Sequence, residues 1–174
     1  MKEYLVGDTN SFFDAITEIQ NKDLKEASIA INGSVNHCHL FRHLKDVKLN
    51  VNGDNSSYNI YLDPKELNSN PKWKFNSTLF FHSDNNDITY SSLNFIYTIE
   101  QYEFIDNPVL NSFGIVLMEF YDSEVKFKDC TFENNTDRTF EIIAKKKSNV
   151  TFEKCLFKGD FNFIIDIGTN VITK

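Results

Sequence analysis

Alanine, the strongest helix former, occurs only four times in 174 residues, which disfavours a helical protein. Glycine occurs six times and nowhere in the spaced cluster that wraps a phosphate, so a glycine-loop nucleotide site has no support. Cations are short as well: 18 Lys and Arg against 25 Asp and Glu leave a formal net charge of −7. A broad electrostatic grip on nucleic acid is thereby disfavoured, while an acidic face for a basic partner is not. No stretch approaches the roughly 18 uninterrupted apolar residues of a membrane span. The opening Met1-Lys2-Glu3-Tyr4-Leu5-Val6 lacks the charged start, apolar run and cleavage site of a secretory signal, so a soluble, cytoplasmic protein is expected. Cys38, Cys130 and Cys155 then read as reduced thiols. Against these shortages stand 17 Phe and 21 Asn, a mixture that favours strands and turns.

The second half of the chain repeats itself. Glu124 to Asn135 reads EVKFKDCTFENN and Asn149 to Asp160 reads NVTFEKCLFKGD. Apolar or sulfur residues coincide at Val125/Val150, Phe127/Phe152, Cys130/Cys155 and Phe132/Phe157. Asp87 to Ile96, DITYSSLNFI, fills the same slots with Ile88, Tyr90, Leu93 and Phe95. Looser copies lie at Asp46-Val47-Lys48-Leu49 and Asn170-Val171-Ile172-Thr173. Each copy follows an upstream apolar anchor by seven residues: Leu40, Phe81, Met118, Ile143 and Ile164 precede Val47, Ile88, Val125, Val150 and Val171. Between anchor and copy lies a polar turn, as in HSDNND, EFYDSE and AKKKSN. Residues at i and i+2 share a strand face, and the break before Cys130 or Cys155 reads as a bend into a second strand. Successive copies then stack in parallel about 4.8 Å apart, with Val over Val, Phe over Phe and Cys over Cys.

VKFKDCTFENN and VTFEKCLFKGD resemble the coils of the right-handed parallel β-helix, or pectin-lyase-like, superfamily, and the resemblance covers residues 27–174. It implies an all-β solenoid of about five or six coils forming a single domain over 1–174, with long loops near 53–77 and 96–113. Residues 10–21 resemble the amphipathic helix that caps many such solenoids. Phe12, Phe13, Ile16 and Ile19 fall on one helical face, with Thr9, Asn10 or Ser11 able to cap its start.

Chemistry is harder to place. His37, His39 and His43 crowd within seven residues, and on a strand His37 and His39 project to one side, a spacing compatible with Zn²⁺. The favoured alternative buries Cys38 and leaves the imidazoles in solvent. Asp46, Asp87, Glu124, Asn149 and Asn170 are expected to form a polar row along one edge. In lyases of the superfamily acidic residues from adjacent coils hold Ca²⁺, but the basic residues that accompany them are missing: arginine occurs only at Arg42 and Arg138. Of the polygalacturonase motifs only Asn135-Thr136-Asp137 has a match. Asp84-Asn85-Asn86-Asp87 reads as a turn satisfying its own backbone rather than a calcium site. Cys130 and Cys155 read as a buried thiol ladder, with a disulfide geometrically open to it.

The two long loops carry Tyr58, Tyr61 and Trp73, and Tyr97, Tyr102, Phe104 and Asp106. Loops that depart from a solenoid's basic coil are where binding is grafted, and aromatics beside carboxylates suit a sugar face or a protein hot spot. The expected function is a non-enzymatic interaction or inhibitory protein, of phage or mobile-element type. It would use an acidic, aromatic-bearing face, or dock a protein partner or second copy on its C-terminal end. The alternative is a carbohydrate-binding or polysaccharide-cleaving module of a tail-spike or adhesin.

Overall fold

Strand-forming alternation is realised as parallel pairing throughout. In the computed structural model, which describes residues 1–37, 44–62, 78–99, 115–135 and 139–174, every pairing among the described strands is parallel. The strands fall into three runs. The first holds, in spatial order, β1 (Lys2–Val6), β2 (Glu26–Ile31), β5 (Lys48–Leu62), β7 (Asp87–Ile99), β9 (Glu124–Lys128), β12 (Asn149–Glu153) and β15 (Asn170–Thr173). The second joins β3 (Val35–His37), the later halves of β5 and β7, β10 (Thr131–Asn134) and β13 (Leu156–Lys158). The third comprises β4 (Leu44–Lys45), β6 (Thr78–Asp84), β8 (Ile115–Tyr121), β11 (Phe140–Lys145) and β14 (Phe161–Ile165). One pass of the chain through the three runs makes a rung. Rungs stacked in parallel are consistent with an all-β solenoid.

Register places Leu49, Ile88, Val125, Val150 and Val171 in one column and Val51, Tyr90, Phe127 and Phe152 in the next. Equivalent residues are 39, 37, 25 and 21 apart along the chain, so the strands keep step while the connections vary. Three expectations need correction. The copy written as Asp46-Val47-Lys48-Leu49 is displaced by two residues, since Leu49, not Val47, lies beside Ile88. A shift of two preserves the inward face, so alternation could not reveal it. In the third run Met118 pairs with Ile142, which in turn pairs with Phe163; Ile143 pairs with Glu119 and Ile164. The constant spacing of seven fails there because Lys146 and Lys147 both adopt left-handed φ, of 52° and 62°, adding a residue to the turn. Finally, β5 continues through Leu62 and β7 through Ile99, so strand occupies the first part of each stretch read as a loop.

Two aromatic stacks run up the core. Tyr90, Phe127 and Phe152 lie face over face with ring centroids 5.0 Å apart at both steps. Phe95, Phe132 and Phe157 form the second stack, at 4.9 and 4.8 Å. These distances follow the spacing of neighbouring strands, about 4.7–4.9 Å. The stacks meet edge to face, as at Phe127–Phe132 (5.1 Å, 77°) and Phe152–Phe157 (5.1 Å, 72°), so positive ring edges of one stack meet negative faces of the other. Phe120 and Ile142 close the core from the third run. Gly53 marks the bend in β5, where a β-carbon would fall 2.1 Å from Leu93 Cδ2. Leu93 of the next rung fills that space.

The helix α1 (Thr9–Asn21) buries Phe12, Ala15, Ile16 and Ile19 and packs against β1 and β3, with Phe13 only half-buried. Its N-cap is Asp8, not one of the three residues expected from sequence: Ser11 N–H donates to Asp8 Oδ1 at 2.8 Å, and the Ser11 hydroxyl accepts from Asp8 N–H at 3.2 Å. Glu18 ties the helix to β1 by pairing with both Lys2 and Lys22.

Replacing Phe127 by Ala removes a ring from the centre of both contact networks and should cost about 3–5 kcal/mol in urea unfolding. The exposed control Lys128→Ala should stay within about 0.5 kcal/mol. Hydrogen bonds from Lys2 and Lys22 hold the Glu18 carboxyl down at about 2 against its ordinary 4.5. Its contribution is therefore complete above the ordinary value and fades as pH falls toward 2. The stability difference between the parent and Glu18→Gln should shrink over that window and with added salt, as read from thermal midpoints.

Candidate functional site

The corner between the third and first runs is built from one turn used repeatedly. Asp46, Asn85, Asp122, Lys147 and Gly168 adopt left-handed φ of 56°, 55°, 48°, 62° and 82°. Asp, Asn and Gly tolerate that conformation, and Lys147 does so at a cost. The residue after each turns inward and is buried: Val47, Asn86, Ser123, Ser148 and Thr169.

These inward residues form a directional ladder. Val47 N–H donates to Asn86 Oδ1 at 2.9 Å, Asn86 N–H to Ser123 Oγ at 3.2 Å, and Ser123 N–H to Ser148 Oγ at 3.2 Å. Each side chain thus satisfies a backbone donor of the preceding rung that would otherwise be buried without a partner. The serine hydroxyls pass their own protons back, to Tyr121 O and Lys145 O, both at 2.7 Å. Ser148 N–H turns instead to Lys145 O at 3.2 Å, and Thr169 Oγ1 has no partner. The Asp84–Asp87 segment therefore serves the backbone of the neighbouring rung, through Asn86.

Outside the ladder runs a polar row. Register aligns Glu26, Lys48, Asp87, Glu124, Asn149 and Asn170, so Lys48 stands where Asp46 was expected. Asn149 Nδ2 donates to Glu124 Oε2 and Asn170 Nδ2 to Asn149 Oδ1, both at 3.0 Å. Asn85 Nδ2 donates to Asp46 Oδ1 at 2.6 Å. A shallow groove of 460 Å³ crosses the corner, lined by Asp46, Asp87, Asp122 and Glu124 with Lys48 and Lys147. Four carboxylates against two ammonium groups suit cationic side chains. Among the described residues no three His, Cys, Asp or Glu converge as metal ligands.

The rung that ends in β15 presents a different surface. Among the described residues β13, β14 and β15 each have a strand neighbour on one side only. Beside these edges Leu156, Ile164, Ile165 and Ile172 are exposed, and Ile167 is 98% exposed. Phe157, at the end of the second aromatic stack, and Phe163, edge-on to Phe152 and Phe157, are only partly covered.

Of the residues singled out in the sequence, Tyr58 lies at the register position between Val35 and Phe95, Tyr61 pairs with Thr98, and Tyr97 pairs with Ile60 and Asn134. All three are strand residues of the second run, not loop residues. His37 ends β3 opposite Ile60. His39, His43, Trp73, Tyr102, Phe104 and Asp106 lie outside the described residues. The inward acceptors were missed, although a small polar residue directly before the strand at Asn86, Ser123, Ser148 and Thr169 was the available signal. No described helix is long and apolar enough to cross a membrane. Comparison with protein-family models, curated proteins and solved structures finds no match to this chain.

Ser148→Ala removes the acceptor of the buried Ser123 N–H and should cost about 1–3 kcal/mol. Thr169→Val deletes a hydroxyl that bonds to nothing and should leave stability unchanged or raised. Urea unfolding of the two variants beside the parent checks the contrast.

Proposed function

We propose that the chain is a non-enzymatic macromolecular interaction protein of the cytoplasm. In this reading it is a right-handed parallel β-helix of the pectin-lyase-like type with about five or six coils, capped at its start by α1, and it docks a second copy of itself on its open edge. The observation that carries the reading is that edge: three strands that, among the described residues, have a neighbour on one side only, beside Leu156, Ile165, Ile167 and Ile172. Unpaired parallel edges with exposed apolar residues are a template for another strand-bearing surface.

Charge selects the occupant. A chain of net charge −7 repels its own copies over most of its surface. Residues 154–174 differ, since Lys154, Lys158 and Lys174 stand against only Asp160 and Asp166. A second copy brings the same free N–H and C=O groups and the same phenylalanines, so one patch can serve both sides of a two-fold interface. The non-enzymatic part of the reading draws on the corner, where Glu124 and Asp46 accept from the amides of Asn149 and Asn85 and so serve the stacking of rungs.

Sedimentation velocity over a wide concentration range tests the reading. A dimer that strengthens with concentration is expected, and Ile165→Asp combined with Ile172→Asp should abolish it while far-UV circular dichroism stays that of the parent. A strict monomer at the highest concentration, or a dimer indifferent to both substitutions, overturns it.

A further inference from the structure

Apart from the corner and the edge, the described residues contain one pair of nucleophiles. Cys130 lies at the bend between β9 and β10, and Cys155 at the bend between β12 and β13. Each follows a residue with left-handed φ, Asp129 at 52° and Lys154 at 51°, so the two bends have the same form. Register fixes them from both sides: Lys128 pairs with Glu153 before the bend and Thr131 with Leu156 after it. Leu156 N–H donates to Cys130 O at 3.0 Å, which locks the cysteines side by side. Neighbouring strands lie about 4.8 Å apart, within the roughly 4.4–6.8 Å between α-carbons that a disulfide spans.

The pair is also asymmetric. Cys130 is buried and Cys155 partly exposed. Cys130 Sγ lies 3.3 Å from Lys128 O and 3.7 Å from Tyr90 O, while Cys155 Sγ lies 3.5 Å from both Phe127 O and Glu153 O. We propose that Cys130 and Cys155 form a reversible redox-modification site for low-molecular-weight disulfides, in which Cys155 makes the first attack and Cys130 resolves the product into an internal disulfide. The neighbouring Cys130 thiol lowers the pKa of Cys155. The Cys155 neighbour, followed by burial, raises the pKa of Cys130. The thiolate, the attacking species, therefore forms first on the sulfur that solvent reaches, although the Asp129 carboxylate opposes it there.

With oxidised glutathione as reagent, the Cys155 thiolate attacks one sulfur, the reagent's S–S bond breaks, and one glutathione thiolate departs. The Cys130 thiolate then attacks Cys155 Sγ and expels the second. The two thiol protons end on the two released glutathiones; the cysteines lose two electrons and the reagent gains them. Leu93 and Gly53 occupy this bend in earlier rungs, so the bond fastens the last described rung, which carries the open edges, to the one before it. This inference is independent of whether those edges bind a second copy.

The test is incubation of the folded protein with oxidised glutathione, acid quenching, alkylation of remaining thiols and peptide mapping without reduction. A Cys130–Cys155 linked peptide pair and two released glutathiones per chain are expected, with a higher urea midpoint for the oxidised form. Cys130→Ser should retain one glutathione on Cys155, and Cys155→Ser should leave Cys130 unmodified. Glutathione persisting on Cys155 of the unaltered protein, a link through Cys38, or full alkylation of both thiols overturns the proposal. Mapping of the unaltered protein decides the matter even if a serine variant fails to fold.

Discussion

Parallel pairing in register is the constraint from which the rest of this structure follows. Once neighbouring strands are held about 4.8 Å apart without slip, each side chain must accept its counterpart in the next rung as its closest neighbour. Phenylalanine meets phenylalanine at 4.8 to 5.0 Å in both stacks. A single stack would set ring faces of like charge distribution against one another. Two stacks meeting edge to face add contacts of positive edge on negative face to offset it, and the second run supplies them by repeating phenylalanine at Phe95, Phe132 and Phe157.

The same constraint governs the polar positions. A corner residue turned inward cannot reach water, so its column favours residues that bond along the stack or need no bond, and Thr169, whose hydroxyl has no partner, departs from this. Asn86, Ser123 and Ser148 take the first course and Val47 the second. At the outer row solvent is available, and the column is mixed: Lys48, Asp87 and Glu124 precede the amides Asn149 and Asn170. The acidic character of the corner is therefore a property of positions that stacking leaves unrestricted.

The parts of this fold legible in the sequence were those where repeats are close and alike. Val125, Phe127, Cys130 and Phe132 recur 25 residues later without interruption, and their columns can be read directly. Where connections lengthen, alternation fixes only the face of a strand, and the copy at Lys48 and Leu49 shows the resulting two-residue ambiguity. One additional left-handed residue at Lys146 was enough to move the third-run anchor from Ile143 to Ile142, because lysine carries no turn signal of its own. Asp8 was overlooked as the helix cap since Thr9, Asn10 and Ser11 are equally suited to that role by type. The candidate site was less legible. Tyr58, Tyr61 and Tyr97 looked like loop aromatics because a strand broken by Gly53 and polar residues does not alternate cleanly. The C-terminal end reads from the sequence as a docking surface, but which apolar residues it exposes, Leu156, Ile165, Ile167 and Ile172, no local pattern records.

The inward ladder has a direction: every acceptor belongs to the later rung and every donor to the earlier one. Val47 N–H donates forward to Asn86, Asn86 N–H to Ser123, and Ser123 N–H to Ser148. The strand amides beside it run the other way, since Asp87, Glu124, Asn149 and Asn170 N–H donate to the carbonyls of Val47, Asn86, Ser123 and Ser148 in the preceding rung, so each corner clasps its neighbour with bonds of both senses. At Ser148 and Thr169 the amides bond within their own turns, to Lys145 O and Asp166 O, so the ladder closes on itself before the last described rung.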